Sequence, residues 1–217
     1  MKFNSILIAL LFCFQLQAQH KKLDYLVGQN LEKAIDFAKE QGKSSLLYFN
    51  SLDCHKCEQF TDSVMSEDSL IKSLKSKFIM LNINLQEDEG KLIIKRFKIF
   101  DFPAIILLTP DQKLSYTVKL KMDWKNITSQ CLSFLNVSGF RDQVLLLQKT
   151  NKLDWDQACI ELAKSYGKRD YKKYPTADPI ERYHDRLLDM DIFKVCKDAY
   201  LESWNTERLK DLKKKKQ

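Results

Sequence analysis

Leu46-Leu47-Tyr48-Phe49-Asn50-Ser51-Leu52-Asp53-Cys54-His55-Lys56-Cys57 is the stretch on which the fold turns. The run from Ser45 to Asn50 is short, rich in leucine and aromatics and bounded by polar residues, which suits a strand buried on both faces. Glu58 to Val64, immediately after it, is compatible with a helix. Two thiols are therefore presented where a strand hands over to a helix. A thiol in the first turn of a helix lies among backbone N–H groups that have no partner within the helix, at the positive end of the helix dipole. Both effects favour thiolate and make a nucleophile. Cys54 is the expected nucleophile and Cys57 the thiol behind it. Lys56 and a protonated His55 favour the Cys54 thiolate, whereas Asp53 opposes it by like-charge repulsion.

Upstream, Leu31, Ala34, Ile35 and Ala38 share one helical face, with Asn30 placed to cap the start and Gly42 to end it. Downstream, Asp68 to Lys77 is amphipathic through Leu70, Ile71 and Leu74, and Phe78 to Leu85 returns to strand. Asp88 to Phe97 has helical spacing with Leu92, Ile93 and Phe97 inward. Phe102-Pro103 then interrupts the chain before the apolar strand Ala104 to Thr109, the turn Pro110-Asp111-Gln112-Lys113 and an antiparallel partner from Leu114 to Lys119. Trp124 to Leu135 closes this part as a helix whose Ile127, Cys131 and Leu135 share a face. A parallel crossover followed by a hairpin and a covering helix implies an α/β fold, one mixed sheet with helices on both faces.

From Arg141 onward the strand signal is lost. Val144 to Leu147, Trp155 to Ala163 and Ile192 to Trp204 read as helix pieces around a polar, proline-containing connection at Tyr174 to Pro179. The expected division is a signal peptide at 1–18, an α/β domain at 19–138, and a helical extension with a basic tail at 139–217.

The leader has Lys2 at its start, the apolar run Ile6 to Phe14 and the exit Leu16-Gln17-Ala18, the layout of a secretory signal cleaved after Ala18. It is short of the roughly 20 apolar residues of a spanning helix, so no stable membrane insertion is expected. Export places the mature chain in the periplasm or outside the cell, where disulfides persist. There it keeps Cys54, Cys57, Cys131, Cys159 and Cys196, an odd number, so pairing within one chain is incomplete. The formal charge of +7 is concentrated partly in Lys213-Lys214-Lys215-Lys216. Elsewhere acids and bases are interleaved, and a lone lysine run is a weak motif, so no nucleic-acid partner is expected.

Over roughly Leu31 to Leu135 the chain resembles the thioredoxin superfamily. The resemblance rests on the strand-to-CxxC junction, on Pro103 before a buried strand and hairpin, and on the order of elements between them. It resembles secreted bacterial thioredoxin-like proteins through Ala34, Ala38-Lys39 and Gly42-Lys43 ahead of the first strand. The stretch from Phe60 and Val64 to Phe78-Ile79-Met80-Leu81-Asn82-Ile83-Asn84 is similar too. The resemblance implies thiol–disulfide exchange with protein substrates and with a redox partner protein in the same compartment, without a dissociable cofactor. It also implies a cis Pro103 beside the cysteines, with the backbone of Phe102 pairing with an extended substrate and Phe100 adding apolar surface. Two positions depart from the family: Tyr48 stands where thioredoxins carry a buried acid, and Asp53 where they carry a tryptophan before the first cysteine.

Other readings of the same residues are a local structural disulfide, a zinc half-site or metal carrier, and a redox-inactive binding or chaperone-like module on the same fold. Zinc needs four ligands, and Cys54, His55 and Cys57 lack an evident partner pair, so no metal is expected. Reductase, oxidase and isomerase directions are all compatible with the sequence. Cys131 reads as a small core residue, and Cys159 and Cys196, one in each of two expected helices, are candidates for a disulfide.

Overall fold

The computed structural model describes residues 31–51, 53–84, 88–187 and 190–215. The expected leader, the Asn30 cap and Leu85 lie outside the described residues. One compact unit reaches Cys131 and a second begins at Leu132.

In the first unit, α1 (Leu31–Glu40) buries Leu31, Ala34, Ile35 and Ala38 at the expected spacing. Gly42 ends it with φ of 60°, a left-handed conformation in which glycine carries no Cβ penalty. The Lys43 N–H reaches the Ala38 carbonyl at 2.8 Å and the Gly42 N–H the Lys39 carbonyl at 3.1 Å, satisfying two end carbonyls of the helix. This turn feeds β1 (Ser44–Asn50). Next come α2 (His55–Phe60), a π-helical turn at Thr61–Met65, α3 (Asp68–Lys75), β2 (Phe78–Asn84), α4 (Asp88–Phe97), β3 (Ala104–Leu108) and β4 (Ser115–Thr117).

The sheet order is β2-β1-β3-β4. β1 runs parallel to β2, with Tyr48 opposite Asn82, and antiparallel to β3, with Tyr48 opposite Ile105. β3 and β4 form the antiparallel hairpin, closed by Thr109, whose hydroxyl donates to Asp111 Oδ1 at 2.6 Å. Alternation divides the strand side chains between the two faces. Leu47, Phe49, Ile79, Leu81, Ile83, Ile106 and Leu108 form a core with α1 and with Ile93 of α4. Leu46, Tyr48, Met80, Ile105 and Leu107 point to the other face, where the Phe60 ring lies 6.0 Å from that of Tyr48.

Leu92 departs from expectation, being 70% exposed. Successive helical residues are turned by about 100°, and α4 faces the core with Ile93, flanked by the partly buried Ile94 and Phe97, which leaves Leu92 on the water side.

The expected helix Trp124 to Leu135 and the piece Val144 to Leu147 are parts of one continuous helix, α5 (Trp124–Asn151). Its buried residues Ile127, Cys131, Phe134, Val137, Phe140 and Val144 recur at steps of three and four, and Leu135 is only half-buried. The expected boundary between residues 138 and 139 lies inside this helix.

The second unit continues with α6 (Trp155–Lys173), α7 (Pro179–Leu187), a 3-10 turn at Asp191–Phe193 and α8 (Lys194–Lys214). Here Tyr171 and Tyr200 both lie against Trp204, at 5.6 and 6.2 Å, and Phe140 lies against Phe193 at 5.4 Å. Buried Asp170 accepts from the Tyr200 hydroxyl at 2.9 Å, which compensates part of the cost of burying a carboxylate. Cys159 of α6 and Cys196 of α8, both fully buried, are disulfide-bonded with Cα atoms 5.7 Å apart.

Candidate functional site

The strand–helix junction assembles the site. β1 is buried through Phe49, so the chain leaves the sheet at a fixed point, and Cys54 takes an extended conformation (φ −106°, ψ 98°) as the N-cap of α2. Its Sγ accepts from the Cys57 N–H at 3.1 Å, and its carbonyl accepts from the N–H groups of Cys57 at 2.9 Å and Glu58 at 3.1 Å. The sulfur therefore does what a serine or aspartate oxygen does at most helix starts, satisfying an N–H that the helix cannot. Cys54 and Cys57 are disulfide-bonded, with Cα atoms 5.1 Å apart. Cys54 is half-buried, whereas Cys57 is 2% exposed. One sulfur faces outward and the other is covered.

Asp53, His55 and Lys56 are exposed around this tip. His55 Nδ1 lies 3.6 Å from Glu58 Oε2, and His55 Nε2 lies 3.0 Å from Gln59 Nε2, both within the first helical turn. Lys56 borders a depression of about 330 Å³ together with Gln59, Phe60, Phe102, Pro103 and the segment Leu120 to Met122. The Phe102–Pro103 peptide bond is cis. Phe100 lines a separate depression, with Phe97 and Ile99, and Pro103 borders both. Phe102 and Phe100 thus serve two different surfaces.

Two contributors were not legible beforehand. Met122, 60% exposed at the rim of the Lys56 depression, sits in a connection with no sequence signature. Thr61 opens the π-helical turn, and its hydroxyl lies 2.8 Å from that of Tyr48. The Tyr48 hydroxyl also donates to the Cys57 carbonyl at 3.3 Å. Burial pushes the Tyr48 phenol above its usual range, with the Thr61 hydrogen bond acting in the opposite sense and Asp62 adding to the rise, so Tyr48 is neutral at physiological pH.

Among the described residues no group of three or more His, Cys, Asp or Glu is arranged to hold a metal ion. No helix among them is long and apolar enough to cross a membrane.

A parallel–antiparallel four-stranded sheet, with a CxxC pair at the helix start after its central strand, defines a thioredoxin-like domain. Residues 27–110 match the family model described as thioredoxin-like, which supports the likeness of this part of the chain to the thioredoxin superfamily. Among solved structures, the chain is similar to a thioredoxin from Thermus thermophilus: 20% identity, 53% of this chain and 90% of that chain covered, TM-score 0.45. It is similar also to a disulphide isomerase from Xylella fastidiosa Temecula1, at 22% identity, covering 41% and 70%, TM-score 0.36. A third is the oxidised C-terminal domain of DsbD from Neisseria meningitidis, at 18% identity, covering 40% and 78%, TM-score 0.35. No curated protein matches.

Proposed function

We propose that the protein is an exported thiol–disulfide oxidoreductase, acting on protein substrates in the periplasm or outside the cell. Cys54 is the nucleophile, Cys57 the resolving thiol, and Phe102 with Pro103 the wall against which the substrate chain lies. In the reducing direction, the Cys54 thiolate attacks one sulfur of a substrate disulfide, and the other substrate sulfur leaves as a thiol. Cys57 then attacks Cys54, releasing the second substrate thiol and closing the Cys54–Cys57 disulfide. Two electrons pass to the substrate, and a redox partner protein returns them. The reverse sequence oxidises, and no dissociable cofactor is needed in either direction.

The observation that carries this reading is the asymmetry of the pair: an outward sulfur bonded to a covered one, at a helix tip where an N–H points at the outward sulfur. Such an N–H supports the thiolate, and the helix end adds about 0.3–1 kcal/mol to a nearby negative charge. The exposed ammonium of Lys56 acts in the same direction and carboxylates at the tip oppose it. Reduction of a protein disulfide by the purified chain with a small dithiol as electron donor, followed as precipitation of the separated substrate chains above the rate of the dithiol alone, tests the proposal. Turnover should be seen and should be lost in Cys54→Ser. A chain that turns over nothing, or a Cys54→Ser variant as active as the parent, would return the protein to the class of binding modules.

A further inference from the structure

Behind Cys57 lies a pair of neutral hydroxyls. The Cys57 carbonyl receives the Tyr48 hydroxyl from β1 at 3.3 Å and the backbone N–H of Thr61 from the π-helical turn. The two hydroxyls lie 2.8 Å apart, so each fixes the other. Tyr48 is fully buried and belongs to the central strand, bonded on both sides in the sheet. The carbonyl of the covered cysteine is thereby tied to a strand paired on both sides, whereas the outward one is held at the helix tip and through its N–H to the Ser51 carbonyl at 3.3 Å. Cys57, Thr61 and the acidic residues Glu58 and Asp62 line one open depression.

We infer that Tyr48 and Thr61 are positioning residues for the resolving step: they hold the backbone of Cys57 so that its sulfur lies in line with a bond from Cys54 to a substrate sulfur. This rests on the exchange reading above. The step is an intramolecular displacement in which the Cys57 thiolate bonds to Cys54 Sγ, the Cys54–substrate bond breaks, and the substrate leaves as thiolate. Its rate depends on near-attack geometry, and a misplacement of about 1 Å costs on the order of a hundredfold. The first attack, by Cys54 on an incoming disulfide, uses the Cys57 N–H but not the Cys57 carbonyl, which is the group the two hydroxyls hold. Loss of a hydroxyl therefore separates the two steps.

The experiment mixes the reduced full chain with an aromatic disulfide whose thiolate is coloured on release. The first equivalent reports attack by Cys54, and the second reports resolution by Cys57. Tyr48→Phe and Thr61→Val should each slow the second phase about tenfold or more with the first unchanged, a modest share of the geometric limit. Thr61→Ser, which restores the hydroxyl, should recover the second phase. Because positioning moves no proton, the ratio of parent to variant rates should stay constant from about pH 6 to 9, whereas loss of a general acid or base would change it across that range. A second phase that is unchanged, a first phase slowed equally, a pH-dependent ratio, or failure of Thr61→Ser to rescue each overturns the inference. If Tyr48→Phe does not fold, the Thr61 pair decides alone. A parent chain that releases neither equivalent removes the exchange reading itself, and this inference with it.

Discussion

The two disulfides differ in the length of chain they close and in their access to solvent. Cys54–Cys57 closes a separation of three residues at a helix tip, with one sulfur half-buried. Cys159–Cys196 closes a separation of 37 between two helices, with both sulfurs fully buried. In the loop-entropy account the first constrains the unfolded chain by only about 1.5 kcal/mol and the second by about 4 kcal/mol. Access runs the other way, since a sulfur sealed among side chains cannot be attacked by a thiolate in solution. The bond with little to contribute to stability is the one open to chemistry, and the bond closed to chemistry is the one that can hold a unit together.

The sharpest way to break this contrast is to remove each bond in turn. Cys54→Ser should abolish disulfide reduction while changing stability by less than about 2 kcal/mol, given so short a loop. Cys159→Ala with Cys196→Ala should do the reverse, retaining reduction and costing about 2–5 kcal/mol in chemical denaturation. Loss of activity in the second variant without loss of stability would dissolve the distinction.

Gly167 gives a smaller effect confined to the second unit. A Cβ there would collide with the Tyr200 carbonyl oxygen, because the backbone of α8 comes close to α6 at this point. Ser203 nearby donates to the Lys164 carbonyl across the same contact at 2.6 Å. Gly167→Ala should cost about 1–3 kcal/mol by overpacking, read as a lowered denaturation midpoint, and should leave disulfide reduction unaltered.

Cys131 supplies the smallest signal and a control for the thiols. Burial pushes its thiol from 9.0 up to about 12. The folded chain therefore holds this proton where the unfolded chain releases it, so its contribution to stability is complete below about pH 9 and is lost as pH rises towards about 12. Denaturation midpoints in the parent should fall over that window more than in Cys131→Ala. An alkylating reagent at neutral pH should leave Cys131 unmodified until the chain unfolds.

How much of this was legible from the sequence depended on whether the signal was local. The strand–CxxC–helix junction was readable because an apolar run and a polar helix start sit side by side. The expected helix ends at Leu135 and α5 does not, although Asn136 to Gly139 contains poor helix formers, with glycine alone costing about 1 kcal/mol. The buried series from Ile127 to Val144 overrides that preference. α7 has no counterpart among the expected helix pieces, although Asp178 and Pro179 carry a start signal. The Asp178 carboxylate accepts from the Ile180 N–H at 2.7 Å, and Pro179 occupies the first helical position, where no N–H is needed. The Tyr48–Thr61 contact had no signature, because it depends on a π-helical turn that propensities do not encode.

That turn also bears on how the chain should be aligned. A π turn carries one residue more than the α turn it replaces, so the stretch Thr61–Met65 holds one residue more than a regular helical turn over the same rise. A one-residue gap between Thr61 and Met65 is therefore the correct placement when this stretch is set against a homologue whose helix is uninterrupted.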